Sequence, residues 1–251
     1  MPILRFLSEH WAQDCCWRSE TMAEKTATGI TRRGALAALG LAAAGTASVA
    51  AAQRRATRPS PLRGKRVLVA LGEFSEGLET YYMIYRLREE GAQPVVAAAD
   101  VKPLQLVVHD FDPKYSNYTE MLGYKIATEI AYRDVDPGDY HGLLIPGGRG
   151  PEEIRQYPEV LKLVGHFLDG NLPLGAMCHG PQVLWAARPI RGRRMTCYAG
   201  IRADLELAGA RFVDAPVVVD RSLVTSRGWP DLPEFMPRFL EVLASSTASA
   251  G

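Results

Sequence analysis

The chain has 251 residues, of which 47% are apolar and 23% charged, a composition typical of a globular protein with one sizeable core. The formal net charge of +1 gives no reason to expect nucleic acid or an anionic membrane as a partner. Cys15 and Cys16 are adjacent near the N-terminus, and Cys178 and Cys197 lie far downstream, so the cysteines do not indicate a disulfide framework.

The first part of the chain resembles an export leader. Arg32 and Arg33 precede a stretch rich in Ala, Gly and Leu that carries no charge as far as Ala52. Twin arginines before such a segment are typical of a twin-arginine signal, and the small residues before Gln53 suit cleavage. Because Ala and Gly dominate, a stable membrane anchor is the weaker interpretation. We therefore predict an exported, periplasmic protein, or a cytoplasmic one if the leader is not functional.

Three segments follow from this pattern. We predict a leader over residues 1–52, a polar linker over 53–64 and a folded domain over 65–245. The 21 residues ahead of Met22 do not resemble the first region of a signal, whereas Met22 and the residues after it do. Met22 is therefore the predicted start of translation.

The predicted domain begins with a βαβ pattern. The apolar run 66–71 predicts a strand that is covered on both faces, apolar positions at helical spacing continue to Gly91, and 94–98 predicts a second strand. This spacing indicates a right-handed crossover and a parallel sheet. Residues 99–138 are predicted to form a hairpin or loop excursion away from that sheet.

Strands and helices alternate through the rest of the domain. We predict a strand at 142–145, a helix at 158–169, a strand at 172–177, a helix after Gly180, a helix at 201–208, a hairpin at 217–225 and a helix after Asp231. No Gly-x-Gly-x-x-Gly motif follows the first strand. The pattern therefore predicts a doubly wound α/β sandwich with a mostly parallel central sheet, and such sheets bind ligands at the carboxyl ends of their strands.

Cys178 lies at a predicted turn from strand to helix. With Ala176 and Gly180 on either side, the turn resembles a nucleophile elbow. The helix N-terminus would favour the thiolate and, with partial exposure, make this thiol the more reactive one. The alternative is a buried cysteine that acts as a small apolar residue, which is also the simplest interpretation of Cys197.

Four short motifs in the same order along the chain resemble the ThiJ/PfpI superfamily, most closely its PfpI-type intracellular protease group. They are EFSEGLE at 73–79, IPGGRGPE at 145–152, MCHGPQ at 177–182 and VTSR at 224–227. The resemblance implies a flavodoxin-like fold of the class I glutamine amidotransferase type, a reactive elbow cysteine, and a homo-oligomer, either dimer or hexamer.

The resemblance also assigns roles to individual residues. Cys178 is the expected nucleophile, and Glu76 is the expected carboxyl that points at its sulfur, with Glu79 acting as a cap-type acid. His179 is expected to pair with Cys178 and to be oriented by Glu152 of a neighbouring subunit. For Glu76 and His179 the alternative is a capping role at a helix N-terminus, which needs no chemistry.

The glycine-rich motif completes the expected site. The backbone N–H groups of Gly148 and His179 would form an oxyanion hole, Gly147 would leave the approach to the sulfur open, and Arg149 would bind a substrate carboxylate. A plain turn at Gly147 and Gly148 is the alternative. His109, Asp110 and Asp112 fit a strand end and a solvated turn better than a metal site, so we expect neither a metal nor a cofactor.

These residues predict a cysteine-dependent hydrolase of the PfpI type that acts on peptide or amide bonds. One alternative is a cofactor-independent glyoxalase or deglycase that acts on methylglyoxal or its adducts. Another is a redox sensor or chaperone in which Cys178 is oxidised without turnover. The chain departs from the intracellular group in its leader and in its longer segment at 110–129, which leaves the compartment and the substrate channel open.

Overall fold

A computed structural model of the protein describes residues 60–246. The predicted leader, the predicted start at Met22 and residues 53–59 of the predicted linker lie outside the described residues. The remaining linker residues form a turn whose Leu62 is buried against the core. Within residues 60–246, no helix is both long and apolar enough to cross a bilayer.

Strands and helices alternate along the domain. The strands are β1 Arg66–Ala70, β2 Gln93–Ala98, β3 Leu104–Asp110, β4 Thr119–Ile126, β5 Ile130–Ala131, β6 Gly142–Ile145, β7 Leu174–Met177, β8 Arg194–Met195, β9 Arg211–Phe212, β10 Val217–Asp220 and β11 Leu223–Ser226. The helices are α1 Gly77–Glu89, α2 Gly150–Ile154, α3 Pro158–Asp169, α4 Pro181–Ala187, α5 Arg202–Leu207 and α6 Leu232–Ser245.

Seven strands form the central sheet in the order β10-β11-β7-β6-β1-β2-β5. All neighbours are parallel except β10 and β11, which form the antiparallel hairpin at one edge. The predicted doubly wound sandwich with a mostly parallel sheet is confirmed. The strand order reverses direction between β1 and β6, and the carboxyl ends of these strands and of β7 carry the residues of the site.

Alternate residues of each central strand enter different cores, because side chains of a strand point to opposite faces. Leu68 and Leu143 pack on one face with α3 and α4, whereas Val67 and Leu144 pack on the other with α1 and α6. Both faces of the sheet are therefore covered, which explains why these strands read as continuous apolar runs.

The segment after β2 leaves the central sheet as predicted and forms the antiparallel hairpin of β3 and β4. The prediction for 99–138 was wrong for β5, which returns to the central sheet and pairs with β2. Leu104, Leu106 and Ile126 of this hairpin are buried in the same core as α1. Val107 also bridges to Glu76 at the start of α1. These contacts hold the hairpin beside the central sheet, at the edge where the parallel strands have their carboxyl ends.

Candidate active site

Cys178 occupies a sharp turn between β7 and α4. Its φ of 57° lies in the left-handed region, which side chains other than glycine rarely adopt. The turn is held on both sides, because Cys178 N–H donates to the Ser226 carbonyl at 3.1 Å and the Cys178 carbonyl accepts from Tyr198 N–H at 3.1 Å. A strained cysteine that its neighbours hold in this way has the geometry of a nucleophile elbow.

The sulfur of Cys178 is enclosed. The residue is only 1% exposed, so the predicted partial exposure is wrong. Burial and then the nearby Glu79 carboxyl raise the pKa of the thiol, while the backbone N–H groups of Gly148 and His179 oppose that shift. The helix N-terminus alone therefore does not produce the low pKa that the sequence predicted, because desolvation is the larger effect.

The carboxyl beside this sulfur belongs to Glu79, which corrects the prediction for Glu76. Glu76 is the N-cap of α1, and its Oε2 accepts from Glu79 N–H at 2.6 Å. The Glu79 side chain is fully buried, accepts from Gly147 N–H at 2.6 Å through Oε2, and is the hydrogen-bonding neighbour of Cys178.

The positions of the two glutamates at the start of α1 explain why Glu79, rather than Glu76, reaches the sulfur. Glu79 is three residues beyond the cap, and helical side chains lean back toward the N-terminus, which points its carboxyl at the strand ends. Burial and then the charge of Glu76 raise the pKa of Glu79 well above its usual range. Burial also raises the pKa of Glu76. Glu79 therefore keeps a proton to higher pH than an exposed glutamate and can share it with the thiol.

His179 lies beside the nucleophile, as the sequence predicted. Its Nδ1 is 3.4 Å from Cys178 Sγ, and the residue is buried. Burial, followed by the charge that His109 can carry, lowers the pKa of His179 to about 4. The imidazole is therefore neutral near pH 7 and can accept a proton.

Gly147 and Gly148 are required by close approach rather than by a plain turn. A Cβ on Gly147 would lie 2.8 Å from Cys178 Sγ, and one on Gly148, at φ 75°, would lie 2.5 Å from Glu76 N. Gly147 N–H is already donated to Glu79, so it is not an oxyanion donor. The N–H groups of Gly148 and His179 are directed at the sulfur, which suits the predicted oxyanion hole.

Arg149 and Glu152 lie at the edge of the site. The Arg149 guanidinium pairs with Glu120 at 2.7 Å and lies over the Phe74 ring at 4.5 Å, so it is already engaged within the chain. Glu152 is exposed on α2 and close enough to Tyr118 to influence its pKa. Among the described residues it has no hydrogen bond to His179, and its role from a neighbouring subunit stays a prediction.

An aromatic wall, which the sequence did not predict, contacts His179 and lies near Cys178. It comprises His109, Phe111, Tyr118, Tyr198 and Trp229, whose rings lie in mutual contact. Tyr198 lies 5.1 Å from the His179 ring and Tyr118 lies 6.4 Å from it, measured between centroids. The long segment at 110–129 was the signal that could have revealed this wall.

The three residues considered for a metal face different ways. His109 is buried and contacts Glu120 across the hairpin, whereas Asp110 and Asp112 accept from loop N–H groups of Phe111 and Lys114. Over residues 60–246, no cluster of three His, Cys, Asp or Glu residues is arranged to hold a metal ion. Cys197 is buried in the other core, where burial raises its pKa to about 12.

Solved structures share this fold. A two-domain protein from Anabaena variabilis, with DJ-1/ThiJ/PfpI-like and ferritin-like domains, aligns with a TM-score of 0.63 and 25% identity over 73% of this chain and 49% of that one. DJ-1 from Schizosaccharomyces pombe aligns with a TM-score of 0.60 and 19% identity over 72% of this chain and 93% of that one.

Curated relatives are similar over the whole domain. An uncharacterised protein of Archaeoglobus fulgidus is 40% identical over 178 residues, covering 71% of this chain and 98% of that protein. Proteins named as deglycases from Pyrococcus abyssi and Pyrococcus furiosus are 35% and 31% identical, each covering 71% of this chain and 99% of the relative. Residues 65–242 match the sequence pattern of the DJ-1/PfpI family, and the chain therefore belongs to that family.

Proposed function

We propose that the protein is a cofactor-independent glyoxalase or deglycase that acts on methylglyoxal or its adducts through Cys178. The observation that carries this proposal is the arrangement of three groups under one aromatic wall. The thiol, the proton-holding Glu79 carboxyl and the neutral His179 imidazole are all buried there. Such a site suits addition to a small carbonyl followed by proton transfer away from bulk water.

The relatives support the same reaction class. Two proteins named as deglycases match the domain over nearly their full length, at 35% and 31% identity. The names of these two relatives state a deglycase but specify no substrate. The choice of methylglyoxal follows from the burial of the sulfur and from the chemistry of a thiol beside a proton donor.

Burial of the sulfur argues against a peptide substrate. A peptide carbonyl must reach Cys178 with chain continuing on both sides, but the residue is only 1% exposed and Tyr118 and Tyr198 stand over its neighbour His179. A three-carbon aldehyde needs far less room. The peptidase interpretation therefore has weaker support than the glyoxalase interpretation, even though both use the same nucleophile.

The first chemical step is addition of the thiol to the aldehyde. Cys178 Sγ bonds to the aldehyde carbon, the thiol proton passes to His179, Glu79 gives its own proton to the former carbonyl oxygen, and a hemithioacetal results. The N–H groups of Gly148 and His179 stabilise that oxygen as charge develops on it. Burial and then the charge of Cys178 raise the pKa of Tyr118 to about 12, so its hydroxyl stays protonated and can donate to the adjacent ketone.

The second step moves one proton between carbons. The carboxylate left on Glu79 by the first step removes the hydrogen from the hemithioacetal carbon and delivers it to the neighbouring carbon, while the hydroxyl proton moves to the ketone oxygen. The first carbon is thereby oxidised to a thioester, the ketone is reduced to an alcohol, and His179 returns its proton to Glu79. Water then hydrolyses the thioester, releasing lactate and the thiol. Methylglyoxal plus water gives lactate, so the reaction needs neither an external oxidant nor a cofactor.

Incubation of the purified protein with methylglyoxal, with a glycated peptide and with an unmodified peptide tests the proposal. We expect lactate from methylglyoxal and release of the glycating group, both lost in Cys178→Ser and retained in the matched Cys197→Ser variant. Cleavage of the unmodified peptide would instead support the peptidase. A peroxide-dependent gain of oxygen at Cys178, without turnover of any substrate, would leave only the sensor.

A further inference from the structure

The catalytic steps above leave one buried histidine unused. His109 is 5% exposed and its side chain is 1% exposed, yet its Nδ1 has no hydrogen-bond partner among the described residues. A buried polar atom without a partner is costly, because it has given up its hydrogen bond to water. Such a group therefore calls for an explanation.

A carboxylate on the facing strand fixes the tautomer of this histidine. His109 Nε2 lies 3.0 Å from Glu120 Oε2, and the antiparallel register of β3 and β4 sets the two residues opposite each other. An ionised carboxylate only accepts hydrogen bonds, so Nε2 carries the proton and Nδ1 presents a lone pair. Burial raises the pKa of Glu120, but hydrogen bonds from His109 and Arg149 outweigh it and hold that pKa below its usual range.

Arg149 anchors the far side of the carboxylate. Its guanidinium contacts both oxygens of Glu120, at 2.7 Å and 3.2 Å. Arg149 also follows directly on Gly148, whose N–H is directed at the sulfur. The chain Arg149, Glu120, His109 is thus attached at one end to the glycine motif of the candidate active site, and it orients the imidazole in the way a carboxylate orients a catalytic histidine.

Contacts connect the His109 ring to the candidate active site. His109 lies close enough to Glu76 to lower the pKa of that carboxyl, against the larger effect of burial. Glu76 N–H in turn donates to the Gly147 carbonyl at 3.0 Å. The His109 ring also contacts Tyr118, with centroids 4.5 Å apart, and the Tyr118 ring lies 6.4 Å from that of His179.

We propose that His109, oriented by Glu120 and Arg149, is the general base that activates the water for thioester hydrolysis. The proposal rests on the proposed function and assigns a residue to its last step. Water gives one proton to His109 Nδ1 while its oxygen bonds to the thioester carbonyl carbon. The tetrahedral adduct then expels Cys178, which takes the proton back from His109, leaving lactic acid and a free thiol. The Glu120 carboxylate stabilises the imidazolium formed in between.

The two histidines act in different steps, which makes the proposal testable. His179 accepts a proton when the thiol adds to the aldehyde, and His109 accepts one when water attacks the thioester. Loss of His109 therefore leaves formation of the thioester intact and slows its hydrolysis, by about 10²- to 10⁴-fold, the usual contribution of a general base. The covalent enzyme accumulates, which a merely structural defect does not produce.

The experiment follows the acyl group on the full-length protein. Wild type, His109→Gln, Glu120→Gln and the matched control Asp110→Asn, an exposed carboxylate on the same strand, are mixed with methylglyoxal and sampled by intact mass. Hydroxylamine is added in parallel, because it converts a thioester into a lactohydroxamate, whereas a hemithioacetal reverts to methylglyoxal and gives only the oxime. We expect adduct that yields lactohydroxamate to build up in His109→Gln and, to a smaller extent, in Glu120→Gln, with rapid lactate release in wild type and Asp110→Asn.

The outcomes distinguish a failure of the role proposed for His109 from a failure of the proposed function. Lactate from wild type together with equally fast release from both His109 and Glu120 variants overturns the role of His109 and leaves the proposed function standing. Loss of adduct formation in folded His109→Gln assigns the residue to an earlier step and also overturns the proposal. If wild type forms neither adduct nor lactate, the proposed function itself fails. Glu120→Gln keeps a side chain of equal size and supplies the answer if His109→Gln does not fold.

Discussion

Two glutamates three residues apart lie at the start of α1, and only one reaches the sulfur. Glu79 accepts from Gly147 N–H and neighbours Cys178, while Glu76 caps α1. Both are buried, so burial does not distinguish them. The distinction is geometric, because the carboxyl one turn into the helix leans back over the strand ends whereas the cap residue closes on its own backbone.

Substitution of each glutamate by glutamine separates these roles. We expect Glu79→Gln to lower kcat for methylglyoxal by about 10²- to 10⁴-fold, because it removes the group that carries the proton between carbons. Glu76→Gln keeps an acceptor at the cap and is expected to lower the free energy of unfolding by about 1 kcal/mol with a much smaller loss of kcat. Steady-state kinetics and urea denaturation measure both. The reverse order of kcat losses would restore Glu76 as the partner of the sulfur.

His179 gives a prediction for pH dependence. Its pKa of about 4 in the folded state lies below the ordinary value of 6.5, so the unfolded state binds the proton first as pH falls. Stability that is present above pH 6.5 is therefore lost between pH 6.5 and 4, by up to about 3 kcal/mol relative to His179→Gln. The comparison with the variant cancels Glu76 and Glu79, whose raised pKa values act in the opposite direction.

Nuclear magnetic resonance of the imidazole resonances checks this value directly. We expect the His179 signal to titrate with a midpoint near pH 4. A midpoint near 6.5 would show that the ring is solvated. In that case the enclosed site, on which the preference for a small carbonyl depends, would be wrong.

At the scale of elements, the site lies where the carboxyl ends of the central strands adjoin the hairpin of β3 and β4. The glycine turn after β6 passes so close to the start of α1 that a Cβ at Gly148 would meet Glu76 N and Phe74 O, both at 2.5 Å. A new Cβ destabilises the fold when the atoms that it meets cannot move aside, and backbone atoms move aside less readily than side chains. The tightness of this turn keeps the Gly148 N–H aimed at Cys178.

A pair of glycine substitutions measures that tightness. Gly148→Ala and Gly192→Ala both place a side chain at positive φ, 75° and 77°, but a Cβ at Gly192 has open space around it. We expect Gly192→Ala to cost about 1 kcal/mol of unfolding free energy and Gly148→Ala about 1–3 kcal/mol more. Chemical denaturation gives both values. Equal losses would mean that the turn has room to relax.

The sequence was sufficient for the sheet, the elbow and the proximity of His179 to Cys178, because buried strands and a turn of five residues are local patterns. The sequence could not predict contacts that depend on how two strands are aligned with each other. His109 and Glu120 are 11 residues apart and meet only because β3 pairs antiparallel with β4 at that offset. Glu79 was misassigned for a similar reason, since a shift of a few residues in the start of α1 would exchange the two glutamates.

At the scale of the whole molecule, the part of the chain described leaves apolar side chains in water. On α1 and β4 they include Leu78 at 52%, Leu122 at 74% and Tyr124 at 81% exposure. The two elements adjoin, since Tyr81 on α1 donates to the Lys125 carbonyl. Exposed apolar area of this kind favours association, which agrees with the expected homo-oligomer without testing it.

Mixing of subunits tests whether Glu152 acts across an interface. If His179 of one subunit needs Glu152 of another, Glu152→Gln and Cys178→Ser are each inactive alone, but mixed oligomers regain part of the activity at sites that combine the two intact residues. Lactate formation after joint refolding, with sedimentation to give the assembly state, provides the readout. A fully active monomer would refute a shared site.

The central claim, that Cys178 and Glu79 together convert a small aldehyde, is tested most directly by carbon NMR with methylglyoxal labelled at the aldehyde carbon. We predict that wild type moves the label into the carboxylate of lactate, that Glu79→Gln stops at the hemithioacetal resonance, and that Cys178→Ser leaves the label in free aldehyde. Labelled lactate from Cys178→Ser, or undiminished conversion by Glu79→Gln, would contradict the claim.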